Sequence, residues 1–533
     1  MVTDLRAIAP PAFLAIVVGL LFGTAVSYGF AYDDLSIIQS NGSIGDWATI
    51  WNALTHDLFH NTDVRASPFW RPLVTLSYYV DRSVSDSPSV GHIVNLFWVW
   101  VLAVGVYRFL VSSGASNLMA IAAAVFLICY PTLVEPAVNI TSRTDLLALA
   151  LGLLAINSER SRWILFWTLL ALFSKEVAIV LPVMFLALGK RTGARASFLG
   201  VGVYLVARAA VMLGGGLGEV AFSHRDMIEA GAVFWLQFAY TVAPCLSTIG
   251  GSIPDIEPIA TLAGWLGIIA VIAFLVLRWS ATPVLARLGL VILVPSLLLA
   301  SGITGNQPRV GDGLLLFPTF GALCCLLGVT YRLKVEVRIL GLFILSVASI
   351  TLTRGDIDSW RNDATLWNYA YAQSPRDSLI ALNYSRTIVD VQPELVPSIL
   401  MDLKFEDPRK QREASEVIAR AHIQLGEDVL AIPYLLKALG DDVESKWANS
   451  TACLLVSGQL APEAESVCRL AFTTDPLDGG LHNALGVYFG RLGEPSAAIP
   501  HFEAAVSLAP ENTSYGANLR SAMSSVGQDL IEE

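Results

Sequence analysis

Charge is scarce in this chain: Asp, Glu, Lys and Arg make up 15% of its 533 residues, while 54% are hydrophobic. An average soluble domain carries about 25% charged residues, so a soluble enzyme of this length is excluded and a polytopic membrane protein is indicated. Positive charge is the scarcer sign, with 34 Lys and Arg against 45 Asp and Glu and a net charge of -11. Without a basic stripe to neutralise phosphates, a nucleic-acid partner is excluded as well. Cysteine is sparse: Cys129, Cys245, Cys324, Cys325, Cys453 and Cys468 show no C-x-x-C and no metal-ligand spacing. Four of them lie in apolar runs, where cysteine behaves as a small hydrophobe. Cys453 and Cys468 fall in a more polar tail and could face each other. A cleavable leader is not expected, because the first apolar run has Arg6 alone as its cationic flank and no convincing small-residue cleavage site.

What is present is a series of long uncharged runs. Residues 11–31 carry no charge over a length that crosses a hydrocarbon core of ~30 Å. The run gives out at Tyr32-Asp33-Asp34. A carboxylate beside low-dielectric material has a raised pKa, which suits it to taking a proton from a weak nucleophile; the same pair would also serve to cap a helix. The polar and aromatic stretch 32–90 follows. In it Trp47, Ile50, Trp51 and Leu54 fall at helical spacing and predict an amphipathic helix on the membrane surface. Pro68-Phe69-Trp70-Arg71-Pro72 ends that stretch, and 73–82 predicts a second short surface helix.

Further spans are expected at 92–111, 117–133, 144–157, 162–174, 176–189 and 197–214, then at 260–277, 282–300, 313–330 and 338–353. Short loops carry Arg160 and Arg162; Lys190, Arg191 and Arg195; Arg278 and Arg287; and Arg332, Lys334 and Arg338. Placing all of these in the cytoplasm puts Asp33 and Asp34 on the outer face. It also makes 230–251 a re-entrant or interfacial segment, since a crossing there would export Arg278 and Arg287. About eleven spans result, and an odd number sends the tail outward.

From Arg354 onward charges become frequent and a 34-residue self-similarity emerges. Gly486, Phe489, Ala498, Phe502, Ala505 and Pro510 match the small and aromatic slots of tetratricopeptide repeats. Ala452, Leu455, Ala464, Cys468, Ala471 and Pro476 fill them one period earlier. The expected fold class is therefore all-α, a polytopic membrane bundle followed by a tetratricopeptide α-solenoid. The expected domains are 1–354, with the outer loop 32–90; a degenerate helical linker or repeat at 355–410; and repeats over 411–533.

Ionisable residues inside or at the ends of spans are candidate functional groups: His92 with Asn95, Glu135, Arg143 with Asp145, Lys175 with Glu176, and Arg208. Each could instead be a buried pair tying helices together. Convergence on one face decides between these readings.

Asp33-Asp34 with Ile38 and Asn41, then Arg71-Pro72-Leu73, Ser77-Tyr78, His92 and Asn95, resembles the opening of the transmembrane and tetratricopeptide repeat-containing O-mannosyltransferases. Tyr130-Pro131, Val134-Glu135, Arg143-Thr144-Asp145, Ser174-Lys175-Glu176 and Tyr204 to Arg208 extend the resemblance. One departure stands out. The family usually carries an Arg-Tyr-Leu-Tyr-like run before Pro-Ser, whereas Asp312-Gly313-Leu314-Leu315-Leu316-Phe317-Pro318-Thr319 lacks the arginine and both tyrosines.

The resemblance implies a GT-C class inverting glycosyltransferase that moves a mannose-like monosaccharide from a polyprenyl phosphate to a Ser or Thr hydroxyl of an exported protein. The enzyme would sit in the cytoplasmic membrane, with the active-site loop and repeats on the outer, periplasmic face. In this scheme Asp33 is the base and Asp34 orients acceptor or sugar. Arg208, Lys175 and Arg309 hold the donor phosphate, and Arg71, His92, Asn95, Glu135, Arg143, Asp145 and Glu176 support them. No cofactor is required, and no ligand spacing demands a divalent metal, although the carboxylates are compatible with one. The partners implied are the lipid-linked sugar, membrane lipid and a protein acceptor held by the repeats. The rival readings are a transferase acting on a lipid or surface glycan, and a non-enzymatic transporter or scaffold for lipid-linked sugar.

Overall fold

A computed structural model describes residues 2–62, 67–218, 224–244, 257–301, 312–405, 407–440, 446–458 and 464–532. All regular structure among them is helical. The chain forms two compact units, Met1–Ser374 and Pro375–Glu533.

Against the about eleven spans expected, five stretches among the described residues of the first unit are long and apolar enough to cross a membrane, or six if one bent pair counts as a span: Ala9–Ser27, Pro88–Ser112, Arg191–Leu213, Pro258–Arg278 and Val335–Ser359. Their outer surfaces are hydrocarbon. Leu20, Val206, Leu277 and Phe343 are 83%, 72%, 80% and 62% exposed, a pattern that water would penalise and a bilayer accepts. Shorter apolar helices, Ser161–Leu172, Glu176–Ala187, Met227–Val242, Val284–Ala300 and Leu316–Val329, fill in between them.

Two expected spans take another form. The run 117–133 breaks at Tyr130-Pro131, and helices Asn117–Cys129 and Pro131–Val138 meet at 69°. Proline cannot donate the hydrogen bond that would continue the first helix. The freed Cys129 carbonyl accepts from Thr353 Oγ1 at 2.8 Å instead. The run 144–157 is helix Arg143–Ile156, with every residue but Leu154 buried, so it lies inside the protein and not against lipid. Fourteen residues are too few for a hydrocarbon core that needs about 20. In the run 230–251, helix His224–Val242 covers the first part; residues 245–251 lie outside the described residues. In the outer loop Trp47–Thr49 leads into the short helix Ile50–Thr55 with both tryptophans exposed, and Pro72–Val84 forms the second helix.

Helices Val284–Ala300 and Leu316–Val329 touch backbone to backbone. A Cβ on Gly289 would lie 2.5 Å from the Gly321 carbonyl oxygen, so only glycine fits.

The second unit stacks helices in consecutive pairs, from Pro408–Gln424 with Asp428–Ala438 to Gly479–Arg491 with Pro495–Leu508. Alanines form the seams: Ala419, Ala431, Ala452, Ala464, Ala471, Ala498 and Ala505 are fully buried. Where Gly486 faces Phe502, an added Cβ would come within 2.6 Å of the ring. At the corresponding place one period earlier, Cys468 bonds to Cys453 in a disulfide, with Cα atoms 4.7 Å apart, linking helices Lys446–Gly458 and Ala464–Thr474.

In the intact, unreduced chain Cys453 and Cys468 should resist alkylation under denaturing conditions and take up two labels after reduction, as read by mass spectrometry. Loss of the bond, which closes 15 residues, should destabilise this unit by about 3 kcal/mol in thermal unfolding. Labelling before reduction would remove the cross-link.

Candidate functional site

The acidic pair does not follow the first span directly. Helix Val2–Phe22 tightens into the turn Gly23–Ser27, and four residues, 28–31, separate it from Tyr32. Tyr32 has φ +57°, a left-handed conformation that costs a residue with a Cβ about 1–2 kcal/mol. Its amide donates to Asp363 Oδ1 at 3.0 Å, and Trp367 Nε1 donates to the same oxygen at 3.0 Å. The Tyr32 ring packs edge-on against Trp360 and Trp367. Nearby, Gly29 N donates to Arg361 O at 2.9 Å and Tyr28 Oη to Asp358 Oδ1 at 3.1 Å. Residues 358–367 therefore fix the approach to the pair.

The two carboxylates differ. Asp33 is half-buried. Asp34 is 1% exposed and opens the short π-type turn Leu35–Gln39. Its Oδ1 accepts from Thr141 N at 2.8 Å and its Oδ2 from Ile140 N at 3.3 Å. Burial pushes the Asp34 carboxyl up to about 7, with the Thr141 and Ile140 hydrogen bonds pulling it down and the Asp33 charge adding to the rise.

The loop that holds Asp34 is itself held. Asn139 Oδ1 accepts from Thr141 N at 3.0 Å and from Thr141 Oγ1 at 2.7 Å, while Tyr78 Oη donates to Thr141 O at 3.1 Å. Asn95 Nδ2 donates to Asn139 O at 2.8 Å. Glu135 accepts from Ser142 Oγ at 2.8 Å. Arg143, entirely buried, donates to Asn95 Oδ1 at 2.6 Å, Ser77 Oγ at 2.9 Å and the Gly91 carbonyl at 2.9 Å. It also pairs with Asp81 at 2.6 Å.

The expected pairing of Arg143 with Asp145 is thus replaced. Residues two apart on a helix point to different sides, so Arg143 takes Asp81 and Asp145 takes Lys175 in a buried ion pair. Lys175 is committed to that carboxylate and is not positioned as an unpaired cation.

A second cluster sits at the N-terminal end of helix Pro72–Val84. Arg71 and Arg208 both approach Glu176, each at 3.5 Å. Arg208 further donates to Tyr204 Oη at 3.1 Å and to the Pro68 carbonyl at 2.6 Å. Trp70, Phe173 and Tyr204 pack together beside it. Two guanidiniums on one carboxylate leave net positive charge, and both remain partly accessible. The two clusters share an electrostatic neighbourhood: the Tyr78 hydroxyl, raised by burial, is acted on by Arg143, Asp34, Arg71 and Asp81.

Sequence reading missed Asp81, Asn139 and Thr141. The signal for Asp81 was a carboxylate on a helix whose neighbours Tyr78 and Tyr79 are buried. His92 is buried edge-on to Tyr28, with the Tyr28, Gly29 and Val138 backbones beside its ring nitrogens but, among the described residues, no well-formed hydrogen bond to either; Asn139 Nδ2 likewise has none among them. Arg309 lies outside the described residues. Leu315, Leu316, Phe317 and Phe320 pack as core. Among the described residues no group of three His, Cys, Asp or Glu is arranged to hold a metal ion.

No family model matches the chain. It is 27% identical over 189 residues to protein O-mannosyl-transferase Tmtc1 of Drosophila melanogaster, a match covering 33% of this chain and 22% of that relative.

Two outcomes follow from this geometry. Asp34 keeps its proton to about pH 7 in the folded state, against 3.8 ordinarily, so its contribution to stability is complete below the lower value and is lost as pH rises through the upper one. The melting temperature of the native chain should therefore fall between about pH 4 and about pH 7 relative to Asp34→Asn, which cannot titrate; parallel profiles would refute this. Arg143→Ala, which strands Asp81, should cost about 3–5 kcal/mol in thermal unfolding.

Proposed function

We propose that this membrane protein is a glycosyltransferase that moves a mannose-like sugar from a polyprenyl phosphate to a Ser or Thr hydroxyl of an exported protein. One observation carries the reading: helix Pro72–Val84 joins a buried acid at Asp34, through Tyr78, to a net-positive cluster of Arg71 and Arg208. Its distant similarity to an O-mannosyl-transferase supports the same chemistry.

In this mechanism the acceptor hydroxyl lies against Asp33, which takes its proton as the oxygen attacks the anomeric carbon from the face opposite the phosphate. The bond from anomeric carbon to phosphate oxygen breaks with inversion, and polyprenyl phosphate leaves. Asp34, bonded into the 140–141 backbone, is the positioning residue for Asp33. The negative charge gathering on the departing phosphate is met by Arg71 and Arg208. Such preorganised cations act strongly where water is excluded. Glu176 holds the two apart and aligned. Lys175 and Asp145 neutralise each other behind the site.

The disulfide in the tail supports an oxidising compartment for it, as expected for an outer face. The alanine-seamed helix pairs, read as tetratricopeptide repeats, would hold an extended acceptor segment.

The test uses purified full-length chain, a polyprenyl-phosphate mannose and a Ser/Thr-rich peptide. Asp33→Asn should lower turnover by about 10²- to 10⁴-fold with donor binding intact, and Arg71→Ala with Arg208→Ala should weaken donor binding. Undiminished turnover in Asp33→Asn would overturn the assignment of the base. Absence of transfer by the native chain would overturn the function.

A further inference from the structure

We propose that a groove between helices Ser161–Leu172 and Arg191–Leu213 binds the phosphate of an anionic glycerophospholipid, at a site separate from the acidic pair. The groove has a volume of about 340 Å³. Ser161, Arg162 and Leu165 line it from one helix and Thr192, Arg195 and Leu199 from the other. The two helices are held together beyond it, where Thr168 Oγ1 and Ser197 Oγ lie 3.3 Å apart and Gly200 packs on Thr168.

Three features select the ligand. The first is charge. Arg162 and Arg195 are both exposed, and neither forms an ion pair with a carboxylate among the described residues. Arg162 rests instead beside the Trp163 ring at 5.8 Å. Lys190, close by, is occupied with the Ile156 carbonyl at 3.0 Å. The second is the apolar wall. Leu199 is 58% exposed and Phe198 beside it 53%, on a helix long and apolar enough to span a bilayer. The third is depth: Arg195 lies in the first turns of that helix, where a basic side chain meets the headgroups and the leucines below meet acyl chains. A lipid phosphate with its hydrocarbon on Leu165 and Leu199 satisfies all three; a free anion would leave the wall unused.

The site is independent of the proposed transfer reaction. Arg195 and Arg208 are thirteen residues apart on one helix, or about 20 Å along its axis.

The test places full-length chain in nanodiscs of phosphatidylcholine alone or mixed with phosphatidylglycerol, and measures the lipid retained after detergent extraction by native mass spectrometry. The native chain should retain phosphatidylglycerol in preference to phosphatidylcholine. Arg162→Ala with Arg195→Ala should retain it roughly 10- to 30-fold less well, and Arg162→Lys with Arg195→Lys should recover part of the loss. Should the alanine pair fail to fold, Arg195→Gln alone gives the same readout. Equal retention by native and alanine chains would overturn the proposal, as would equal retention of the two lipids. Displacement of phosphatidylglycerol by inorganic phosphate would overturn the lipid in favour of a soluble anion.

Discussion

The interior of the first unit depends on one buried guanidinium. Arg143 reaches from the start of its own helix to Ser77 and Asp81 on a second helix and to Gly91 and Asn95 on a third. A charge this deep survives only when its donors are met. The requirement has a consequence at a distance: Asn95, oriented by Arg143, donates to the Asn139 carbonyl. Asn139 holds Thr141, and Thr141 holds Asp34. The position of the acid is thus set by a relay of hydrogen bonds anchored on a residue that does not touch it.

That relay keeps two charges apart. A guanidinium paired with Asp34 would pull its carboxyl far below neutrality. Arg143 instead spends its charge on Asp81, and Asp34 is held by neutral hydrogen bonds from Thr141 and Ile140. At the other end of helix Pro72–Val84, Arg71 and Arg208 are held off full neutralisation because a single carboxylate serves both. Helix Pro72–Val84 therefore lies between a buried carboxyl and a partly neutralised pair of guanidiniums without letting them cancel.

Much of this was legible in the sequence, for definite reasons. Uncharged runs, the acidic pair and the isolated intramembrane charges are properties of composition and order, and most of those charges fall into the Arg143 network, the Arg71–Glu176–Arg208 cluster or the Asp145–Lys175 pair. Alanine and glycine slots at a 34-residue period reported where helices approach closely, as Gly486 and Phe502 do. What failed was partner choice. Pairing Arg143 with Asp145 assumed that near neighbours in sequence are neighbours in space, which helix geometry forbids at a separation of two. The run 144–157 read as a span because its apolarity is that of a span, yet its shortness already pointed to a core helix. Cys468 filled a packing slot in the repeat pattern, and its bond to Cys453 depended on a helix pairing that spacing alone does not determine.

Tyr32 shows where local preference yields to tertiary demand. An aromatic residue has no intrinsic reason to adopt φ +57°, and the cost of about 1–2 kcal/mol must be offset by its surroundings. Asp363 and the rings of Trp360 and Trp367 supply that offset from more than three hundred residues away in sequence. Because Asp33 and Asp34 follow at once, the direction in which both carboxylates leave the backbone is decided by this contact as much as by the loop at 139–141. The acidic pair is consequently clamped from two sides, by the bent segment after Tyr130 and by Trp360, Asp363 and Trp367. Neither clamp alone would hold a strained tyrosine and a buried carboxylate in register.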